Sequence, residues 1–295
     1  SNGIMTDYLW KEILTKDKLS RIIENYAQVV VEEDPETKKK SVKQIFPRYH
    51  QLDVVENLLA DVKENGIGKR YLIQHSAGSG KSNSISWLAH QLIGLEENGH
   101  PMLDSVLVVT DRRILDKQIR DNIKQFMQVA NTVAWAEHSG DLRDAIKDGK
   151  RIIITTIEKF PYVVPDIGAK HKDNKFAVII DEAHSGQSGR NSAQMNLALS
   201  GLASEDEMDN EDKINAMMEG RKLLNNASYF AFTATPKNKT LETFGVPYQD
   251  GDEIKHRPYH SYTMKQAIQE GFILDVLKYY TPIASYYKLM KTVQD

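Results

Sequence analysis

Residues 71–82, YLIQHSAGSGKS, decide the fold of this chain because they join an apolar run directly to a glycine-containing loop. The run, residues 71–75, is typical of a strand buried in a parallel sheet. Residues 76–82 form the loop, and a helical pattern follows over residues 83–93. Strand, glycine loop and helix in this order predict an open α/β sheet with a binding crevice at the carboxyl ends of its strands.

The loop has the composition of a phosphate-binding loop. Its glycines let the backbone fold around phosphate oxygens, and the free N–H groups of the helix N-terminus favour an anion. Lys81 can reach the β and γ phosphates of a nucleotide, and the Ser82 hydroxyl can ligate Mg²⁺. The strict pattern has glycine where this chain has His75, so the loop departs from it at one position. The loop residues predicted to bind nucleotide are Ala77, Gly78, Ser79, Gly80, Lys81 and Ser82.

A second apolar run, residues 176–180, ends in the acidic motif DEAH at residues 181–184. Asp181 is expected to hold Mg²⁺ directly or through water, and Glu182 to polarise the water that attacks the γ phosphate. His184 would link this site to neighbouring motifs. Together the two motifs predict a site for ATP and Mg²⁺, with the catalytic residues Lys81, Asp181, Glu182 and His184.

Composition excludes several classes of protein. The 38 basic and 41 acidic residues nearly balance, so contact with nucleic acid must be local rather than through a general positive field. The lack of cysteine excludes a disulfide scaffold and a cysteine-rich zinc site, and it favours a cytoplasmic location. No apolar stretch approaches the roughly 20 residues of a membrane span, so no membrane partner is expected.

Apolar runs alternate with helical patterns along most of the chain, which predicts a parallel sheet flanked by helices. The predicted strands cover residues 70–75, 105–109, 132–134, 151–155, 176–180 and 228–232. The predicted helices cover residues 7–26, 49–64, 82–94, 114–127, 142–147 and 263–270.

Three segments are predicted. Residues 1–45 form an N-terminal adaptor of helix and hairpin, and residues 46–282 form the main lobe. Within the lobe, residues 185–228 contain six acids in eight consecutive positions and predict a solvated helical insertion. Residues 283–295 begin a linker. Residues 1–3, SNG, look like the remnant of tag cleavage, so we expect a fragment of a longer protein.

Five short elements, in this order, resemble the motor of a superfamily 2 helicase: Gln51, the phosphate loop, Thr155-Thr156, residues 181–184, and residues 233–236 (TATP). Longer matches resemble the motor region of the restriction (R) subunit of type I restriction-modification enzymes. These are RYHQ at 48–51, TDRRILDKQ at 110–118, DEAHSGQSG at 181–189 and GFILDVL at 271–277. The resemblance covers about residues 43–280 and implies a RecA-like P-loop NTPase lobe.

In that family the R subunit hydrolyses ATP to pull double-stranded DNA past the complex, and a separate nuclease domain cuts at a distance. The modification and specificity subunits are its partners. Related motors place ATP between two lobes, and the second lobe supplies an arginine that stabilises the transferred phosphate. We therefore expect this chain, as a single first lobe, to bind ATP but hydrolyse it poorly. It should not cut DNA, because residues 1–45 are too short for the nuclease domain.

The resemblance also assigns roles by position. Gln51 would read the adenine edge, with Arg48 assisting. The motifs that touch the nucleic-acid backbone correspond to Thr110, Asp111, Arg112, Thr155 and Thr156. Thr233 and Thr235 would couple hydrolysis to DNA movement.

Two other functions stay open. The first is another superfamily 2 helicase, acting on DNA or RNA. The second is a non-catalytic docking module that uses the acidic insertion, although the intact Lys81, Ser82, Asp181 and Glu182 argue against it. A metal site at His256 and His260 is disfavoured because Pro258 lies between them.

Overall fold

The computed structural model describes residues 7–33, 37–110, 123, 133–136, 138–157, 160, 173–181, 226–275 and 278. In chain order, the described strands are β1 (Gln28–Glu33), β2 (Lys40–Ile45), β3 (Arg70–His75), β4 (Glu96–Glu97), β5 (His100–Pro101), β6 (Ser105–Thr110), β7 (Val133–Trp135), β8 (Ile152–Thr156), β9 (Phe176–Ile180), β10 (Ala227–Thr233), β11 (Val246–Asp250), β12 (Glu253–Arg257) and β13 (His260–Tyr262). The described helices are α1 (Lys16–Asn25), α2 (Tyr49–Asn65), α3 (Lys81–Ile93), α4 (Ser139–Lys147), α5 (Asn238–Phe244) and α6 (Met264–Gln269), with a π-helical turn at Leu9–Ile13.

A seven-stranded sheet in the order β13-β3-β10-β9-β6-β8-β7 forms the centre of the lobe. All of its neighbouring strands pair in parallel. Every residue of β6, β8, β9 and β10 is buried, which explains why their sequences are continuous apolar runs. The predicted α/β class, a parallel sheet flanked by helices, is confirmed.

Strands β3, β6, β8, β9 and β10 each contribute to two cores, because successive side chains point to opposite faces. In β6, Val106 and Val108 join the core that α2 and α3 cover, whereas Leu107 and Val109 join the core that α4 and α5 cover. Fully burying one such side chain contributes about 1.5–3 kcal/mol. The two cores therefore fix both the order of the strands and the edge at which the loops emerge.

The helix predicted over residues 7–26 is interrupted. Thr15 has an extended backbone between the π-helical turn and α1, with φ −64° and ψ 147°. Strand β10 begins at Ala227, so it includes residues 227 and 228, which were predicted to end the insertion. The predicted helix at 114–127 and the insertion over 185–225 lie outside the described residues, apart from Ile123.

The N-terminal segment contains the expected hairpin, in which β1 and β2 pair antiparallel. Its helix α1 is packed into the lobe, since Ile22 and Tyr26 belong to the same core as α2 and α3. The Trp87 Nε1–H donates to the Tyr26 carbonyl at 3.0 Å, and the two rings lie 5.6 Å apart. The boundary at residue 45 stays a prediction, but α1 is part of the packed lobe.

Among the described helices, none combines the length and apolar character needed to cross a bilayer.

The packing of α1 can be tested with two adjacent isoleucines. Ile22 is 5% exposed and Ile23 is 57% exposed. We expect Ile22→Ala to lower the free energy of unfolding by about 3 kcal/mol, because it leaves a cavity in the core. The matched Ile23→Ala should change it by about 0.5 kcal/mol or less. Urea denaturation measures both, and equal small effects would show that α1 does not pack on the lobe in solution.

Candidate functional site

The carboxyl ends of five neighbouring strands, β3, β10, β9, β6 and β8, meet at one edge of the sheet. Thr233 of β10 lies opposite Gln74 of β3, and Thr110 of β6 lies opposite Thr156 of β8. Just past β9, the Asp181 N–H donates to the Val109 carbonyl at 2.9 Å. The pairing therefore brings the phosphate loop, the acid and the predicted threonines to a single edge.

The phosphate loop runs from the end of β3 to the first residue of α3. Gly78 and Gly80 have left-handed backbones, with φ 75° and 81°, and Gly80 is the N-cap of α3. Lys81 is only 8% exposed, and its Nζ lies 3.4 Å from the His75 carbonyl and 3.5 Å from the Ser76 carbonyl. A buried cation at a helix N-terminus is suited to an anionic group.

The glycines are also required by close packing. A Cβ atom on Gly80 would lie 2.4 Å from Gln51 Nε2, and one on Gly78 would lie 3.3 Å from Ile273 Cγ1. The loop is thus enclosed between the first turn of α2 and the segment after α6. In the sequence, Ile273 belongs only to the matched stretch 271–277, and no local pattern indicates its contact with the loop.

Gln51 holds the end of the loop. Its Nε2 donates to the Gly80 carbonyl at 3.0 Å and to the Ser79 carbonyl at 3.3 Å. Its Oε1 accepts from the Arg48 N–H at 2.9 Å. Both ends of the amide therefore bind protein atoms, and the adenine contact of Gln51 stays a prediction.

Arg48 lies beside an exposed aromatic ring. Its guanidinium carbon is 3.9 Å from the centroid of Phe272, which is 41% exposed. A cation stacked on an aromatic face forms a flat surface next to Gln51. Phe272 is a second site residue that sequence reasoning missed, because the chain separates it from the phosphate loop by nearly two hundred positions.

Three histidines surround the loop. His50 Nε2 lies 2.9 Å from the Ser79 carbonyl, His75 Nε2 lies 2.8 Å from His260 Nδ1, and His260 Nε2 lies 2.9 Å from the Asp53 carboxylate. Carbonyl and carboxylate oxygens only accept, so His50 and His260 each donate from Nε2. One hydrogen bond joins His75 Nε2 to His260 Nδ1, and its direction depends on the tautomers of the two rings. We call His50, His75, His260 and Asp53 the histidine cluster.

Burial keeps two of these rings neutral. It lowers the pKa of His75 to about 2, and repulsion from His260, His50 and Lys81 acts in the same direction. Burial is also the main cause that lowers the pKa of His50. The neutral ring of His75 binds His260 within the cluster. This contact explains how the chain accommodates a large residue where the strict loop pattern has glycine.

Both ring nitrogens of His260 bind protein atoms. Within the described ranges, no group of three or more histidine, cysteine or acidic side chains is arranged to hold a metal.

The acidic motif is described only at its first residue. Asp181 is 3% exposed and follows β9, two strands from β3, so strand spacing places it about 10 Å across the sheet from the start of the phosphate loop. Ser82 lies in the first turn of α3 and is partly buried. Glu182, His184, Asp111 and Arg112 lie outside the described residues.

The five described threonines predicted to contact DNA or to couple motion differ in exposure. Thr110, Thr155 and Thr233 are fully buried, Thr156 is 5% exposed, and Thr235 is exposed. Thr110 donates weakly to the Thr155 carbonyl at 3.5 Å. Because four of these hydroxyls lie beneath the surface, direct contact of the threonine side chains with DNA stays a prediction.

A phosphate-type loop and a buried aspartate at the carboxyl edge of a parallel sheet define the class of P-loop nucleotide hydrolases. Residues 50–292 match the family model described as SWI2/SNF2 ATPase. The chain belongs to the SWI2/SNF2 ATPase family and is an ATPase-type enzyme domain.

Several curated proteins are similar to this chain. The endonuclease subunit of type I restriction enzyme SsaAORF53P from Staphylococcus saprophyticus is 27% identical over 234 residues, which cover 77% of this chain and 21% of that protein. The HindI endonuclease subunit from Haemophilus influenzae is 26% identical over 253 residues, 81% of this chain and 21% of that subunit. The chain thus spans about a fifth of the length of these relatives. The resemblance to R subunits is confirmed.

Solved structures show more distant likeness. A nuclease-deletion mutant of the Type ISP restriction-modification enzyme LlaGI, in complex with a DNA substrate mimic, matches with a TM-score of 0.45 at 17% identity, covering 79% of this chain and 22% of that one. The UvsW helicase from bacteriophage T4 matches with a TM-score of 0.43 at 14% identity, covering 79% and 67%. Both are too distant to assign a function.

The glycine at the end of the loop offers a paired test. Gly80 and Gly99 have nearly equal φ values, 81° and 79°, but a Cβ on Gly99 would meet nothing within 4 Å. We expect Gly99→Ala to cost about 1 kcal/mol of stability from backbone strain alone. Gly80→Ala should cost about 2–3 kcal/mol, because it also displaces the Gln51 amide from the loop carbonyls. Denaturation curves that shift equally for the two variants would contradict this packing.

The buried state of His75 predicts a pH dependence of stability. The native state keeps His75 neutral down to about pH 2, whereas the unfolded chain takes up the proton near the ordinary value of 6.5. The unfolded state therefore gains protons first as pH falls, and His75 should cost about 2 kcal/mol of stability between pH 7 and pH 5. His75→Gln should remove that part of the slope, and His100→Gln, at an exposed position, should keep it. Equal slopes in both variants would contradict the burial of a neutral His75.

Proposed function

We propose that this chain binds magnesium-ATP at the phosphate loop and acts as the first motor lobe of a type I restriction enzyme R subunit. The observation that carries the proposal is the phosphate loop itself. Gly78 and Gly80 have left-handed backbones, Lys81 is buried at the N-terminus of α3, and Asp181 lies at the same edge of the sheet.

The residues at this edge fit the nucleotide and its metal. The amides of residues 78–82 and the Lys81 ammonium suit phosphate oxygens. The Ser82 hydroxyl and the Asp181 carboxylate are oxygen ligands of the kind Mg²⁺ prefers. Glu182 would orient the attacking water, with His184 linking the site to its neighbours. ATP would supply the free energy that drives movement.

The position of β10 supports the coupling role. This strand lies between β3, which carries the phosphate loop, and β9, which carries Asp181. Thr233 ends the strand, and the exposed Thr235 follows two residues later. Because Thr233 pairs with Gln74 near the end of β3, a change at the phosphate site would act on a strand in contact with Thr233. We propose that this step drives double-stranded DNA past the enzyme, with the motif of Thr110 to Arg112 and Thr155-Thr156 facing the DNA backbone.

The similarity to endonuclease subunits of type I restriction enzymes supports the cellular role. In this role the chain would act in the cytoplasm with modification and specificity subunits, and translocation would be coupled to DNA cleavage. We expect the chain by itself to bind ATP but to hydrolyse it poorly, and not to cut DNA.

Calorimetric titration of magnesium-ATP tests the proposal. The chain should bind saturably, and Lys81→Ala should weaken binding by at least tenfold, because it removes charge-assisted hydrogen bonds of about 1.5–3 kcal/mol to phosphate. The control is Lys63→Ala, at an exposed lysine of α2. It should bind as the unmodified chain does. Either no binding by the unmodified chain, or unchanged binding by Lys81→Ala, would overturn the proposed function.

A further inference from the structure

Both ends of the phosphate loop are anchored by the histidine cluster. At the far end, the Ser79 carbonyl accepts from His50 Nε2 at 2.9 Å, while Gln51 binds the Gly80 carbonyl at 3.0 Å. In a trans peptide the carbonyl and the following N–H point in opposite directions. Fixing the Ser79 carbonyl toward α2 therefore aims the Gly80 N–H away from α2. The Gly80 carbonyl also accepts from the Asn83 and Ser84 N–H groups of α3, at 3.1 and 3.3 Å.

The start of the loop is fixed by β13. The Ser76 N–H donates to the Tyr262 carbonyl at 3.0 Å, and the His75 carbonyl on the same peptide lies 3.4 Å from Lys81 Nζ. The side chain of His75 is held in turn by His260 Nδ1 at 2.8 Å. Backbone and side chain at this point are thus both attached to the edge strand.

The two anchors are joined to each other. The ring of His50 stacks on that of Tyr262, with centroids 3.7 Å apart and planes 4° from parallel. His260 of β13 binds Asp53, which lies on α2 three residues after His50. One continuous set of contacts therefore connects α2, both ends of the phosphate loop and β13.

We propose that His50 and the His75–His260–Asp53 hydrogen-bond chain are positioning residues of the nucleotide site. His50 holds the Ser79 carbonyl toward α2, and the hydrogen-bond chain holds the start of the loop against β13. The N–H groups of the loop then face the phosphates before nucleotide binds. The proposal rests on the proposed function, because it requires phosphate at this loop. His50 acts through the backbone of Ser79 and does not touch the nucleotide. This contact requires a proton on His50 Nε2, because the Ser79 carbonyl can only accept.

The test for His50 separates the N–H donor from the ring. His50→Gln keeps a donor near the position of Nε2, whereas His50→Phe keeps a ring to stack on Tyr262 but has no donor. Each variant is titrated with magnesium-ATP and with magnesium-tripolyphosphate. We expect His50→Phe to raise both dissociation constants by about five- to tenfold, the effect of one lost hydrogen bond. His50→Gln should stay within about twofold of the unmodified chain.

Other results would overturn the positioning role. A lower melting temperature with unchanged dissociation constants in His50→Phe would make His50 a structural residue only. A loss for ATP without a loss for tripolyphosphate would place its effect at the base. If the unmodified chain binds neither ligand, both the proposed function and the positioning role fail. This result is obtained before any variant is compared.

The start of the loop is tested without nucleotide. His260→Leu removes both ring contacts, and the control is His256→Leu on β12, which pairs with β11 outside the seven-stranded sheet. We expect amide hydrogen exchange over residues 76–81 to become faster in His260→Leu and in His50→Phe, but not in His256→Leu. Unchanged exchange in both cluster variants would overturn the anchoring of the loop, whether or not the protein binds ATP.

Discussion

The site depends on the parallel pairing of β3 with β10 on one side and β13 on the other. This pairing places the phosphate loop between Thr233 and Tyr262 and aligns it with Asp181, which follows the next strand. The core on both faces of the sheet fixes the pairing, because a slip of one residue would turn every buried side chain to the wrong face. Fold and site therefore share the same determinants.

Much of the core could be predicted from the sequence, since continuous apolar runs such as residues 105–109 and 176–180 occur in strands that are buried throughout. β13 could not, because it has three residues, His260, Ser261 and Tyr262, of which only Tyr262 is buried. Its place in the sheet comes from pairing with β3. The contacts of Phe272 and Ile273 were missed for the same reason, as no local pattern marks them.

The turn that joins β3 to α3 could be predicted from its glycines, but the side chains that support it could not. His75 departs from the strict loop pattern, and its sequence position gives no sign of the partner in β13. Gln51 was expected to face a base, while the structure shows its amide on the loop carbonyls. Burial favours the neutral forms of His50 and His75, and Lys81 is the one charged side chain among loop residues 76–82.

We propose that this edge of the sheet is a nucleotide site whose loop N–H groups are oriented by protein contacts before nucleotide binds. The decisive experiment is a crystal structure of the chain with Mg²⁺ and a non-hydrolysable ATP analogue. We expect the triphosphate to lie against the amides of residues 78–82 and Lys81, with the Ser79 carbonyl still bound to His50. Nucleotide bound elsewhere, or loop carbonyls turned toward the phosphates, would contradict it.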